Sequence, residues 1–227
     1  SVMGATGSGK TSFLNMASGS NLRVGTDLES CTSEVQLANS FTLDGQPVTL
    51  IDTPGFDDTN KSDTEILSLI AAYLAITYKA GSKLAGVIYI HRISDLRFTG
   101  ITGRNFRMFR ELCGDSTLKN VILVTNMWGM VTKAAGEARE RGLTTKFFKP
   151  VLDEGAQLVR HHNTVESAHD IIRRILKNHP ITLQIQRELV DEGKGITDTS
   201  AGEVINKEIN EQIRRHQAKL EAVQKEM

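Results

Sequence analysis

Eight residues near the start of the chain constrain its fold more than any other stretch. They match the pattern G-x-x-x-x-G-K-[ST] at every fixed position, and they are Gly4, Ala5, Thr6, Gly7, Ser8, Gly9, Lys10 and Thr11. An apolar stub precedes this phosphate loop and an amphipathic stretch follows it, which predicts a strand, a loop and a helix in that order. Glycines let backbone NH groups turn inward around phosphate, and the helix adds the positive end of its dipole. The sequence therefore predicts a phosphate site between a strand and a helix.

The phosphate loop also assigns roles to side chains. We expect Lys10 to reach the outer phosphates and the Thr11 hydroxyl to ligate Mg²⁺. Ser12, the next residue of the predicted helix, belongs to the predicted nucleotide-binding set. The alternative is an ordinary glycine-rich turn, and the complete match between a strand and a helix weighs against it.

The balance of charges limits the classes of partner. The chain has 27 basic and 27 acidic residues among 227, so it lacks the electrostatic footprint that nucleic acid or an anionic membrane requires. We expect a nucleotide or a protein as partner. A hydrophobic content of 39% suffices for one globular domain with an appendage.

The cysteines and the hydropathy pattern bear on the cellular setting. Cys31 and Cys113 lie far apart without the spacing of metal ligands, and the sequence has neither a signal peptide nor an apolar run of about 18 residues. These features predict a cytoplasmic protein without a membrane segment. Because the first and last residues fall within predicted elements, we expect the chain to be trimmed at both ends.

Strand and helix patterns alternate after the phosphate loop. Residues 21–40 are polar, which predicts a long irregular connection. The further predicted elements are a hairpin with strands at 40–43 and 48–51 around Asp44-Gly45, a helix at 62–78 opened by a capping box, a strand at 84–91, a helix at 105–113, a strand at 121–125, an interrupted helix over 132–152, a strand at 156–160 and a helix at 165–177. This order predicts an α/β, three-layer fold over residues 1–179, with a mostly parallel sheet and one antiparallel edge strand, followed by a helical C-terminal extension over 180–227.

A second motif follows the predicted hairpin. Asp52-Thr53-Pro54-Gly55 comes directly after an apolar strand. At that place Asp52 would hold Mg²⁺ through water, and the NH group of Gly55 would meet the terminal phosphate. A plain turn at a strand end is the alternative, and the coupling to the phosphate loop favours the nucleotide role.

Residues 4–177 resemble a translation-factor-type P-loop GTPase, or G domain, the class that contains septins, immunity-associated GTPases and chloroplast import-receptor GTPases. The stretch 91–97 and the C-terminal part are similar to a group of fungal G-domain proteins. The resemblance implies Mg²⁺ and GTP or GDP as cofactors. It also implies that 21–40 is switch one, in which Thr32 closes over Mg²⁺ and the γ-phosphate, and that 55–61 is switch two. Ser30 and Ser33 are neighbours of similar chemistry, and a solvated loop threonine is the alternative for Thr32.

The sequence departs from the G-domain pattern at two places. Many GTPases have a glutamine soon after D-x-x-G, whereas this chain has Phe56, Asp57 and Asp58, which predicts slow hydrolysis; the two aspartates either contact the attacking water or are turn residues. Base recognition uses Asn/Thr-Lys-x-Asp, whereas here Asn126 is followed by Met127, Trp128 and Gly129. A missing acceptor for the guanine NH groups costs about 1 to 3 kcal/mol and weakens discrimination against adenine, so ATP and ADP stay open as ligands.

Two further residues are predicted at the base. Trp128 either stacks on the base or packs in the core. Asn163 follows the last strand, where immunity-associated GTPases bring an asparagine to the base, and Asn163 or Thr164 would also cap the next helix. His161 and His162 lack a partner at metal spacing, which argues against zinc.

Arg92 and Arg97 have the spacing of a string in the import-receptor GTPases, whose second arginine reaches the nucleotide of a partner across a G-domain dimer. The resemblance implies a homodimer through the nucleotide face with Arg97 acting in trans, where an arginine raises the rate of phosphoryl transfer. A solvated loop is the alternative for Arg97.

The C-terminal extension carries a narrow apolar stripe, formed by Ile205, Ile209, Ile213, Leu220, Val223 and Met227. Such a stripe suits a helix that lies on the parent domain or binds another helix. The function classes that remain are a slow GTPase switch, an ATP-using relative of the same fold and a nucleotide-regulated scaffold with negligible hydrolysis. A metabolic kinase would need an acceptor site and an arginine-rich lid, and neither is evident.

Overall fold

The computed structural model of the protein describes residues 1–24, 32, 34–58, 60–98, 100–207, 210 and 214. Its strands are β1 (Val2–Gly4), β2 (Gln36–Leu37), β3 (Phe41–Leu43), β4 (Gln46–Val48), β5 (Ile51–Asp52), β6 (Val87–Arg92), β7 (Val121–Asn126) and β8 (Gln157–Arg160). Six of them form one sheet in the order β2-β5-β1-β6-β7-β8, and β3 and β4 form a separate pair. All neighbours in the large sheet are parallel except β2 and β5.

The helices flank this sheet on both faces. They are α1 (Lys10–Ser18), α2 (Asp63–Lys79), α3 (Gly100–Cys113), α4 (Lys133–Gly142), α5 (Lys149–Asp153), α6 (Val165–Leu176) and α7 (Gln184–Gln186), with π-helical turns at Leu143–Phe147 and Arg187–Asp191 and 3-10 turns at Asp115–Asn120, Trp128–Met130 and Ile196–Asp198. Residues 200–207 are helical as well.

Two apolar clusters explain the layers. Val87 and Tyr89 of β6 belong to the cluster that contains α2 and α3, whereas Ile88 and Ile90 belong to the cluster that contains α1 and α6. Successive strand residues point to opposite faces, so a strand buried on both faces is apolar throughout. The three-layer α/β prediction is confirmed.

The capping box predicted at the start of α2 is confirmed, and the start of α3 differs from the prediction. The side chain of Ser62 accepts from Glu65 N at the start of α2, and Glu65 Oε2 accepts from Ser62 N at 2.8 Å, which completes the predicted capping box. Helix α3 begins at Gly100, ahead of the predicted residue 105. Its second turn carries Arg104, which pairs with Asp63 on α2, a tertiary contact that sequence pattern does not show.

The antiparallel edge was predicted at the wrong residues. The edge strand of the large sheet is β2, where Leu37 pairs with Ile51, inside the stretch expected to be irregular. The hairpin forms around Asp44-Gly45 as expected, but its second strand ends at Val48, and β5 is a separate strand. Pro47 has no NH group, so β4 is unsuited to the interior of a larger sheet.

The first part of the C-terminal extension packs on the same core as the G domain. Leu183, Ile185 and Ile205 are buried in the cluster with α2 and α3, and Gln186 Nε2 donates to Leu74 O at 2.9 Å. The other residues of the predicted apolar stripe, Ile209, Ile213, Leu220, Val223 and Met227, lie outside the described residues. The division of the chain at residue 179 stays a prediction.

Within the described part of the chain, no helix has both the length and the hydropathy needed to cross a bilayer. Cys113 is a buried free thiol, and Cys31 lies outside the described residues. The cytoplasmic setting stays a prediction.

Candidate functional site

The phosphate loop connects β1 to α1 at the carboxyl edge of the sheet. Gly4 has φ +141° and Gly9 has φ +92°, and a Cβ at Gly4 would stand 2.4 Å from Ile90 O. A Cβ at Gly9 would stand 2.5 Å from Asn126 Nδ2. Both the backbone conformation and the close neighbours therefore require glycine at these two positions.

Lys10 opens α1 from a buried position. Its Nζ donates to the carbonyl oxygens of Gly4 and Ala5, at 3.1 Å each. Burial lowers the pKa of Lys10 to about 8, against the opposing charges of Asp52 and Asp58. Gly9 is the N-cap of α1 and provides no side-chain acceptor for the NH groups of the first turn. The loop thus presents a positive helix end and a buried ammonium together.

The three predicted metal ligands meet beside Lys10. Thr11 Oγ1 donates to Asp52 Oδ2 at 2.7 Å and lies 3.2 Å from Thr32 Oγ1. Ser30 and Ser33, the alternatives to Thr32, lie outside the described residues. The structure therefore brings together residues from the start of α1, from the predicted switch one and from the end of β5.

This Thr11, Thr32 and Asp52 cluster, called the metal cluster below, fits Mg²⁺. Asp52 Oδ1 is buried without a hydrogen-bond partner among the described residues, so one carboxylate oxygen is left for a ligand. Burial raises the pKa of Asp52, while the Thr11 hydrogen bond and the charge of Lys10 oppose that rise. No group of three or more His, Cys, Asp or Glu suited to a metal occurs in the described part of the chain. One carboxylate with hydroxyl groups suits an ion that keeps several of its waters, as Mg²⁺ does.

The predicted switch two begins against the phosphate loop. Thr6 N donates to Phe56 O at 2.8 Å, and Phe56 N donates to Gly4 O at 3.3 Å. A Cβ at Gly55 would stand 2.6 Å from Thr6 Cα, so this segment lies in direct contact with the loop. The terminal-phosphate position expected for Gly55 is therefore next to the loop.

The two aspartates after Phe56 lie in turns. Asp58 Oδ1 accepts from the NH groups of Asn60 and Lys61, at 2.7 and 3.1 Å. Asp57 is exposed with φ +63°, and its NH group donates to Asp63 Oδ1. These contacts correspond to the turn alternative for both residues.

A cavity of about 710 Å³ lies beside the phosphate loop at the ends of β7 and β8. Its lining comes from the loop and α1, from the segment after β7 and from the segment after β8, and consists of Gly9, Ser12, Asn126, Met127, Trp128, Gly129, Met130, His161, His162 and Asn163. Every residue predicted to contact the base lies in this lining. We call it the base cavity.

Asn126 ties the base cavity to the phosphate loop. Its Nδ2 donates to Ser8 O at 3.0 Å, and its Oδ1 accepts from Met127 N at 2.7 Å. Met127 adopts φ +63°, a left-handed conformation that turns the chain directly after the strand. Both polar groups of the Asn126 side chain are engaged within the protein.

The Trp128 side chain packs against the core, and its stacking on a base stays a prediction. Its Nε1 donates to Thr125 O at 3.1 Å, and the Arg160 guanidinium lies 4.2 Å from the ring centroid. Arg160 is held in turn by Glu140, which accepts from Arg160 Nε at 2.9 Å. Trp128 therefore packs against the core on one side and lines the base cavity on another.

Asn163 is exposed at the rim of the base cavity. It has φ +57°, and its side chain has no hydrogen bond to any other described residue. Thr164 caps α6 instead, because its Oγ1 accepts from Ser167 N at 3.2 Å. His161 lies behind the rim, where Nδ1 and Ser167 Oγ are 2.8 Å apart and burial lowers the pKa of the imidazole to about 4.

The two arginines after β6 lie in different surroundings. Arg97 is exposed beside Leu96 and is not part of the metal cluster or the phosphate loop. Arg92 forms an ion pair with Asp95 at 3.0 Å, and its Nη1 lies 3.3 Å from the place of a Cβ on Gly7. Sequence reasoning treated Arg92 only as the spacing partner of Arg97. The signal that could have found it is its place at the end of a strand next to β1.

The sequence profile of a family described as 50S ribosome-binding GTPase matches residues 1–127, more than half of the chain. The chain belongs to this GTPase family. Among curated proteins, no match to this chain was found.

Solved structures show the same fold as this GTPase. Toc33 from Arabidopsis thaliana, in complex with Mg²⁺ and GMPPNP, is 17% identical with a TM-score of 0.60, and the match covers 80% of this chain and 86% of Toc33. A dimerization-deficient mutant of Toc33 is 16% identical with a TM-score of 0.61 and the same coverage. The elongation factor SelB from Methanococcus maripaludis is 10% identical with a TM-score of 0.51, over 79% of this chain and 34% of SelB.

Proposed function

We propose that this GTPase is a Mg²⁺-dependent nucleotide switch that binds GTP and hydrolyses it slowly, with relaxed selectivity between guanine and adenine. The observation that carries the proposal is the metal cluster, in which Thr11 Oγ1 contacts both Asp52 and Thr32 beside the buried Lys10. Three segments distant in sequence meet there, and the outer phosphates of a nucleotide bind at such a site. Toc33, which shares the fold, has been solved with Mg²⁺ and either GMPPNP or GDP.

Each residue of the phosphate end has a task in this proposal. The NH groups of residues 4–12 surround the phosphates, and the Lys10 ammonium leaves its two backbone acceptors to contact the outer ones. Thr11 and Thr32 would ligate Mg²⁺ directly and Asp52 would hold it through water, and Mg²⁺ bound there would supply positive charge for the outer phosphate oxygens. The NH group of Gly55 meets the terminal phosphate, so contact with the phosphate loop makes switch two sensitive to that phosphate.

The slow hydrolysis follows from the residues after Gly55. Asp57 and Asp58 lie in turns, and no glutamine stands where many GTPases orient the attacking water. Arg97 is proposed to act in trans within a homodimer that forms through the nucleotide face, where it would stabilise charge on the transferring phosphate. Dimerization is important for the GTPase activity of the chloroplast translocon components Toc33 and Toc159.

Exposed apolar side chains support that dimer face. Leu96 is 82% exposed and Met130 is 71% exposed, and each follows a strand at the carboxyl edge of the sheet. Ile101 and Val165, at the starts of α3 and α6, are both 44% exposed at the same edge. Apolar surface around a site is typical of a surface that binds protein.

The relaxed base selectivity rests on the lining of the base cavity. Met127 occupies the position of the lysine that helps to recognise guanine in other GTPases, and Gly129 occupies that of the aspartate. The carboxylate that accepts from the guanine NH groups is therefore missing at residue 129. Trp128 and Asn163 remain to contact a base, the first through its ring and the second through its amide. ATP is therefore the second candidate nucleotide, and a scaffold with negligible hydrolysis is the second candidate function.

Turnover measurements test these proposals. The purified chain is assayed with GTP and with ATP, and Lys10→Ala serves as the inactive control. Hydrolysis above that control supports a nucleoside triphosphatase. If neither triphosphate is hydrolysed above the control, only the scaffold function is left. A loss of GTP hydrolysis in Arg97→Ala, at protein concentrations where dimer is present, supports the trans arginine; unchanged hydrolysis there refutes it.

We also propose that residues 180–227 are a helical extension of a G domain over 1–179, with an outer part that binds a partner helix. The apolar stripe that continues in sequence after Ile205 supports this. Sedimentation of the chain with and without residues 208–227 tests it. The same association state for both would refute helix pairing between copies of the chain.

A further inference from the structure

Arg92 lies on the phosphate loop although it belongs to another strand. It is the last residue of β6, and its Nη1 lies 3.3 Å from the place of a Cβ on Gly7, at the apex of the loop. Its charge also acts on Lys10, whose pKa it helps to lower. Two cations therefore face the same loop from different elements.

Asp95 forms an ion pair with the Arg92 guanidinium. Asp95 Oδ1 pairs with Arg92 Nε at 3.0 Å, while Asp95 N donates to Arg92 O at 3.3 Å across the turn after β6. Arg92 Nε is buried without a hydrogen bond to any described residue, so Asp95 acts on the guanidinium through its charge, while Nη1 lies on the side of Gly7. The side chain of Arg92 is 36% exposed, so a ligand can reach it.

The order of the strands places Arg92 along a bound nucleotide. The sheet runs β5-β1-β6-β7-β8, so Asp52 on β5 and Arg92 on β6 flank the phosphate loop from opposite sides. The base cavity lies at the ends of β7 and β8, on the side of Arg92. If a nucleotide has its base in that cavity and its terminal phosphate at the metal cluster, the phosphates nearest its ribose would lie beside Arg92.

We propose that Arg92 binds, in cis, the phosphates that a nucleoside diphosphate and a nucleoside triphosphate have in common, and that Asp95 is its positioning residue. The inference rests on the proposed function, because it needs a nucleotide at the phosphate loop. A guanidinium donates two NH groups to phosphate oxygens in a fixed plane, which a lysine cannot reproduce.

The test is calorimetric titration of GDP and of GMPPNP, with Mg²⁺, into the wild-type chain and into Arg92→Gln. We expect Arg92→Gln to weaken both ligands by the same factor, about tenfold, since one charge-assisted contact of a partly exposed arginine is lost. Arg92→Lys should recover part of the loss. Arg107→Gln, which removes an exposed arginine of α3, is the matched control and should bind as the wild type does.

Asp95→Asn tests the positioning role. Alone it should weaken both ligands about threefold, and in the Arg92→Gln background it should have no further effect, because a positioning residue acts only through the residue that it holds. An equal effect of Asp95→Asn in both backgrounds overturns that role. Thermal unfolding of each variant confirms that the fold is kept.

The possible failures are distinguishable. If GDP and GMPPNP bind the wild type and Arg92→Gln equally while Lys10→Ala abolishes binding, the role of Arg92 is refuted and the nucleotide site stands. A loss confined to GMPPNP refutes the assignment to the shared phosphates. If the wild type binds neither ligand, the proposed function itself is wrong.

Discussion

At the phosphate end of the site, backbone and side chains from several segments meet within hydrogen-bond distance, whereas at the base end a cavity of about 710 Å³ is lined by residues that have few contacts across it. Thr11 contacts both Asp52 and Thr32, and Gly55 lies against Thr6. Across the base cavity, Asn163 has no hydrogen bond to any other described residue, and Gly129 has no atom within 4 Å of a Cβ placed on it.

The two ends of the site have different structural requirements. Phosphate binding uses backbone NH groups and one buried cation, so it requires close packing and glycines at fixed positions. Base recognition needs a few side chains with the right acceptors, and they can change without disturbing the fold. We therefore expect mutations at the phosphate end to act on every nucleotide, and mutations at the base end to change the preference among nucleotides.

The largest effect is expected at Lys10. Lys10→Met should weaken binding of both GMPPNP and its adenine counterpart by about a hundredfold or more, because the contacts of a buried ammonium with phosphate are lost. Lys177→Met, at an exposed position, is the matched control. Calorimetry with both nucleotides measures the effect. Weaker binding of only one of the two nucleotides would contradict the expectation that the phosphate end acts on every nucleotide.

Asp52 should control the dependence on Mg²⁺. In the wild type, GMPPNP should bind about thirtyfold more tightly with Mg²⁺ than with a chelator, and in Asp52→Asn this ratio should fall to near one, since the amide is a poorer partner for a cation and its waters. Asp153→Asn, at an exposed position at the end of α5, should keep the wild-type ratio. An unchanged ratio in Asp52→Asn would mean that the metal cluster does not hold the ion.

A gain of selectivity is expected at Gly129. Open space surrounds its Cβ position, so Gly129→Asp should be accommodated and should supply the carboxylate that guanine NH groups need. We expect the ratio of ATP to GTP dissociation constants to rise about tenfold. Gly129→Ser places a side chain there without the carboxylate and should leave the ratio near that of the wild type. If both variants shift the ratio equally, a carboxylate at this position is not what discriminates guanine from adenine.

Acid should destabilise the fold through His161, which lines the base cavity. Burial lowers the pKa of this imidazole from 6.5 to about 4, so the unfolded chain takes up its proton first as the pH falls. The free energy of unfolding should therefore decrease between pH 6.5 and 4, by about 1 to 2 kcal/mol from this residue by pH 5. Urea unfolding at pH 7 and pH 5 should show a smaller decrease in His161→Asn than in the wild type.

The control for His161 is His179→Asn, at an exposed position, which should keep the wild-type decrease. His91 is also buried with its pKa lowered to about 4, and it is present in every variant, so the comparison isolates His161. The same pH dependence in His161→Asn and the wild type would show that His161 does not titrate as proposed.

The phosphate end could be predicted from the sequence because its requirements are local. Glycines at fixed spacing, the lysine at the helix start and the acidic residue after a strand are each visible within a few neighbours. The capping box at Ser62 is of the same kind. Thr11 and Asp52 of the metal cluster are predicted by these patterns, since parallel strands bring their carboxyl ends to one edge. Thr32 is predicted only from the resemblance to G domains.

What could not be predicted depends on contacts between distant segments. Strand β2 has only two residues, and it forms because it pairs with β5, which no local pattern shows. The contact of Asn126 with Ser8 and the approach of Arg92 to Gly7 require the order of strands in the sheet. Base-end roles are hardest to predict because a single side chain carries each of them.

We expect the phosphate end to supply most of the free energy of nucleotide binding and the base end to add little selectivity between guanine and adenine. Calorimetric titration of GTP, ATP and inorganic tripolyphosphate, each with Mg²⁺, into the wild-type chain tests it directly. We expect GTP and ATP to have dissociation constants within about tenfold of each other, and tripolyphosphate to retain more than half of the binding free energy of GTP. A preference for GTP over ATP of about a thousandfold, together with no measurable binding of tripolyphosphate, would contradict the claim.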